Sequence, residues 1–140
     1  MKACRRTNDP TTELTRDELK KRIDAIEESY EFFLAYAARG VSGEQSDDDV
    51  RGFLQRMDEA LTDVADGFKS VAVQEASSPV EPVHAMIDVL EKDAQTTQAA
   101  VRLVLAQSSI NSQLVDNLNA SIHVRAMLTD LFLLDEALKR

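Results

Sequence analysis

Apolar positions fall into four stretches with helical spacing, separated by polar segments. Leu19, Ile23, Ile26, Tyr30, Phe33 and Ala37 follow one another at intervals of three or four residues. That spacing lays one seam along a helix. Thr15 is placed to cap this helix, with Glu18 closing a capping box and Leu14 and Leu19 forming a hydrophobic staple. Gly40 supplies the left-handed stop, so the first helix is expected over about 15–39. After a loop at 40–46, Ser46 or Asp47 caps a second helix over about 47–75, with Asp47, Asp48 and Asp49 in its first turn. Its stripe is Val50, Phe53, Leu54, Met57, Leu61, Val64, Phe68 and Val71, and Gln55, Glu59, Asp63, Asp66 and Ser70 face away.

Pro79 and Pro82 then open a third helix over about 79–107, with a seam from Val83 through Met86, Ile87, Leu90, Ala94, Thr97 and Val101 to Leu105. The pattern fails at Gln107-Ser108-Ser109-Ile110-Asn111-Ser112, which reads as a tight turn, with an unbroken helix to residue 138 as the alternative. A fourth helix is expected over about 111–138. Helices of this length reach about 40 Å. Short connections between matched helices favour an all-α, antiparallel up-down-up-down four-helix bundle over residues 15–140, preceded by a polar N-terminal tail at 1–14.

Composition agrees with that picture. The chain has 140 residues, few Gly and Pro, seven aromatics and no Trp, which argues against sandwiches and barrels. One cysteine excludes a disulfide framework. No apolar run is long enough to span a membrane, and none precedes Cys4 as a secretory or lipoprotein signal would require. The expected compartment is the cytoplasm.

The formal net charge is −9, of which residues 41–76 carry −6. An acidic body repels phosphate backbones and anionic lipid, so neither nucleic acid nor a membrane surface is an expected partner. Acidic helix faces ordinarily serve as solvated surface.

The candidate chemistry is thin. A carboxylate-bridged di-metal centre needs two Glu-x-x-His motifs on different helices. Glu81-Pro-Val-His84 is one, at a helix entrance, but His123 has Ala120 in the required position. His84 and His123 both fall on polar faces. Met57, Met86 and Met127 lie on apolar stripes, where methionine fills gaps more often than it ligates haem. No nucleophile elbow, phosphate-binding glycine loop or zinc spacing occurs. No catalytic, cofactor or metal residues are therefore expected. These patterns are general to helical bundles and identify no family.

Three features exceed the needs of a plain core. Tyr30, Phe32, Phe33 and Tyr36 gather four aromatics in seven residues, and Phe32 and Tyr36 point away from the seam. Leu131-Phe132-Leu133-Leu134 makes the end of the fourth helix apolar almost all round. On one continuous fourth helix, Arg125 and Asn117 fall on the face of Leu114, Leu118 and Phe132, as candidate buried polar groups that set helix register. The sequence thus points to a non-catalytic protein that acts by association. A homodimer is expected, with a further protein partner possible, through Phe32, Tyr36, Leu131, Leu133 and Leu134. The alternative is a divergent ferritin-like bundle holding a metal or small ligand, its centre hollowed by the small residues Ala94–Ala100.

Overall fold

The computed structural model describes residues 14–39, 44–74 and 79–139, with the side chains of 44–46 excepted. Residues 1–13 of the tail expected at 1–14, and the Gly40 stop, lie outside them. Among the described residues the chain is all-helical, with α1 (Arg16–Arg39), α2 (Glu44–Gln74), α3 (Val80–Leu105), α4 (Ser112–Ala120) and α5 (Ile122–Ala137). Five helices stand where four were expected.

The capping box forms as the spacing requires: the Thr15 amide donates to Glu18 Oε1 at 3.0 Å and the Glu18 amide to Thr15 Oγ1 at 3.1 Å. Leu14 and Leu19 are both buried. Each has a methyl against the side of α2 at Gly67, where an added Cβ would sit 2.9 Å from Leu19 Cδ1 and 3.3 Å from Leu14 Cδ1. The staple therefore fixes the start of α1 and its approach to α2 together.

α2 starts at Glu44, three residues before the expected start at 47, so both candidate caps, Ser46 and Asp47, lie inside the helix. The Asp47 carboxylate accepts from Arg51 Nε at 2.9 Å and from the Ile110 amide at 3.1 Å. The Arg51 guanidinium goes on to the carbonyls of Leu105 at 2.9 Å and Gln107 at 2.6 Å. Carbonyls at a helix end have no partner within the helix, and here α2 supplies one. The expected turn after the third helix is present, since α3 ends at Leu105 and Asn111 caps α4 through Leu114 at 2.9 Å. α2 bends at Asp63, whose φ of −131° and ψ of 17° depart from the helix.

The expected fourth helix is broken at Ser121. This residue adopts φ −61° and ψ 131°, and its hydroxyl accepts from the His123 amide at 3.1 Å. Serine favours cap positions because its hydroxyl competes for nearby amides, so it ends α4 and opens α5.

α1 packs on α2 and α4, α2 on α3, and α3 on α5. Cross-links fix the directions. Arg22 and Glu28 of α1 meet Asp63 and Arg56 of α2 in descending order. Lys69 and Asp58 of α2 meet Glu91 and Arg102 of α3 likewise. α1 and α2, and α2 and α3, thus run antiparallel. The core is built from Ile26, Phe33 and Tyr36 of α1, Leu54, Met57 and Phe68 of α2, Ile87 and Leu90 of α3, and Met127 and Leu131 of α5. No helix among the described residues is long and apolar enough to cross a membrane.

Candidate functional site

The residues singled out from the sequence part company in the structure. Tyr36 is fully buried, and its hydroxyl donates to the Ile110 carbonyl at 3.3 Å. Leu131 and Leu134 are buried too. All three complete the chain's own core, because α1 and α5 are wrapped on more than one side by neighbours. Phe32 is half-buried and stacks on Phe53 with ring centroids 4.2 Å apart, while the Arg56 guanidinium lies 5.2 Å from the Phe53 centroid. Of the five, Leu133 stays open, 56 % exposed, with Phe132 beside it at 43 %.

Arg125 and Asn117 are exposed, not interior. The break at Ser121 resets the helical phase beyond it and turns Asp130 inward in place of Arg125, while before the break, on α4, the buried polar residue is Asn119 and not Asn117. Asn119 donates from Nδ2 to the Phe33 carbonyl at 3.1 Å, and its buried Oδ1 meets no donor among the described residues. His84 and His123 are exposed.

The light middle of α3 is filled by hydrogen bonds. Gln98 Nε2 donates to the Asp58 carbonyl at 2.9 Å, and Thr97 Oγ1 donates to the His123 carbonyl at 3.0 Å. The hollow left against α2, beside Ala94 and Gln98, is about 80 Å³, room for little more than water. Among the described residues no three His, Cys, Asp or Glu side chains converge as a metal would need.

Two charged places emerge that the sequence did not disclose. One is a groove of about 390 Å³ between α1 and the end of α5, floored by Leu19 and Ile23 and rimmed by Asp24, Glu27 and Asp135 together with Arg16, Lys20 and Lys139. Partial burial, with Asp24, Asp135 and Glu31 nearby, raises the Glu27 carboxyl above its ordinary value. The other is Asp130 on α5, only 7 % exposed, whose Oδ2 meets no donor among the described residues. Burial first, and then the neighbouring Asp93 carboxyl of α3, push its carboxyl up to about 7.

The widest open chemistry is apolar. Val80, Val89 and Leu103 on α3 and Ile122, Phe132 and Leu133 on α5 are large exposed hydrophobics, whereas α1 and α2 show Leu34 and Val73. Compared with known protein families, curated proteins and solved structures, the chain matches none.

Proposed function

We propose that this protein is a non-catalytic cytoplasmic helical bundle that works by association, first with a second copy of itself and through that dimer with another protein. In this reading the fold is an up-down-up-down four-helix bundle whose last helix is α4 and α5 together, bent at Ser121. The observation that carries the reading is that six of the eight large apolar side chains exposed among the described residues lie on α3 and α5, with Phe132 and Leu133 adjacent in sequence. Apolar surface in excess of scattered single residues marks contact sites. Interfaces draw their affinity from a few central aromatic and aliphatic anchors within polar surroundings. Arg125, Thr129 and Glu136 are exposed on the same helix and offer those surroundings. Phe32, half-covered by Phe53, is the remaining candidate anchor from α1.

The test is solution mass by light scattering after size exclusion. Wild type is expected near twice 15.6 kDa, and Leu133→Asp should return it to one chain mass with unchanged helicity. A wild-type monomer at every concentration would remove the dimer from this reading.

A further inference from the structure

Leu14 is buried at the start of α1, and the sequence before it carries its charges in order. Lys2, Arg5 and Arg6 come first, then Asp9 and Glu13, with Asn8-Asp9-Pro10 between them as residues that favour a reversal.

Two hollows flank α1 within reach of that segment. α1 packs chiefly on α2 and α4, and α5 on α3, which leaves the space between α1 and the end of α5 unfilled. The groove there is sorted by charge. Arg16, Lys20 and Lys139 lie at the end nearer Leu14, and Asp24, Glu27 and Asp135 lie farther along. The Arg16 guanidinium on the Leu138 carbonyl at 3.2 Å sets that order, because it pins the end of α5 beside the start of α1. Lys20 sits 3.4 Å from Asp24, whereas Glu27 and Asp135 have no ion-pair partner among the described residues. The opposite hollow, between α1 and α2, is lined by three bases, Lys21, Arg22 and Arg56, against one acid, Glu59. The acids beside it, Asp63 and Glu28, are already paired with Arg22 and Arg56. Nothing there draws a further cation.

Reach agrees with charge. Eight residues lead from Arg6 to Leu14, an extended span of up to about 26 Å. Glu27 lies about 20 Å up α1 from the same point, which leaves length for a reversal near Pro10. Asp9 and Arg6 are about 10 Å apart in extended chain, and Lys20 and Glu27 are about 10 Å apart along the helix. The two charge patterns therefore match when the segment runs antiparallel to α1.

We propose that the groove between α1 and the end of α5 is the docking site of the chain's own N-terminal segment, with Arg5 and Arg6 on Glu27 and Asp135, and Asp9 beside Lys20 and Lys139. Guanidinium–carboxylate pairs are the stronger kind of charged hydrogen bond. Partial burial and the nearby Asp24, Asp135 and Glu31 raise the Glu27 carboxyl, and a cation placed there relieves that crowding. So seated, the segment straps the end of α5 to α1. This contact stands apart from the apolar surface of α3 and α5 and does not depend on a dimer.

The experiment is paramagnetic relaxation enhancement on the full chain, with a nitroxide on Cys4, its single cysteine. Amides 131–135 of α5 report the groove, and amides 59–63 of α2 report the opposite flank. A free coil of the ten residues between Cys4 and Leu14 has a root-mean-square span of about 18 Å and would reach both alike. In wild type, enhancement on α5 should exceed that on α2 by about fivefold or more, the signature of a seated rather than a free segment. Joint Arg5→Glu and Arg6→Glu substitution should make the two equal. Salt at about 1 M, where the Debye length is about 3 Å, should do the same. Equal enhancement in wild type overturns the proposal, and so does an asymmetry that survives the two substitutions. A nitroxide-bearing chain is also mixed with an isotope-labelled chain that carries none. Enhancement on α5 of the second chain would seat the segment in another copy's groove and overturn the proposal; none is expected.

Discussion

At Gly52 an added Cβ would meet nothing within 4 Å, whereas at Gly67 it would press on Leu19 and Leu14. Both glycines sit inside α2, where glycine costs about 0.5–1 kcal/mol relative to alanine. Gly52→Ala should therefore raise stability by roughly that amount in urea denaturation. Gly67→Ala should lose the gain, because the methyls it displaces belong to the buried staple. A similar contrast separates two aromatics. Tyr36→Phe should cost about 1 kcal/mol by removing the bond to Ile110 from a buried site. Phe32→Ser, on the half-open stack with Phe53, should leave near-native helicity by circular dichroism. The seven-residue aromatic cluster was plain in the sequence. Which of its members the chain would cover was not, since that depends on α4 lying against α1.

Elements were legible where the cue is local. The capping box at Thr15 and Glu18 can be read from two residues and forms as expected. The turn after α3 was readable from four small polar residues, although what holds it, Arg51 on Leu105 and Gln107, lies more than fifty positions away. Ser121 gave a weaker cue, because one serine in an otherwise periodic run is compatible with a continuous helix. Missing it shifted the phase of everything downstream. Arg125 was set on an apolar face, whereas past the break it is exposed and Asp130 is buried. The bend at Asp63 was also invisible; the residue at the bend makes a bidentate pair at 3.0 Å with Arg22, a partner on another helix that no local pattern points to. Ser121→Ala should cost about 1 kcal/mol through loss of the cap. Hydrogen exchange should show that loss first at the amides just after residue 121.

For the whole molecule, the carboxyls set a pH optimum. Hydrogen bonds from Arg51 and from the Ile110 amide hold Asp47 below its ordinary value. Its contribution is present above that ordinary value and lost as the solution is acidified through the lower, folded one. Asp130 and Glu27 are held above theirs, so the folded chain binds protons that the unfolded chain has released. Their contribution is complete below the ordinary value of 3.8 for Asp130 and is lost as pH rises toward about 7. Stability should therefore peak near about pH 4, where Asp47 is ionised and Asp130 still holds its proton, and decline from there toward about pH 7. Urea midpoints measured from about pH 3 to pH 8 would show the peak, and Asp130→Asn should move it upward. A peak above neutrality in wild type would contradict this account.

The reach of Arg51 also bears on how the chain acquires its shape. The carbonyls it satisfies lie 54 and 56 positions further along. Closing so long a loop carries an entropic cost that local contacts do not. The connection at 106–111 therefore gains its hydrogen bonds only after the start of α2 has arrived beside it. It is a place where the chain bends because the helices have already met, and it cannot be the nucleus that brings them together. The helical pairs α1–α2 and α2–α3 would then be the early scaffold, with the last third of the chain the final part to close and the first to open.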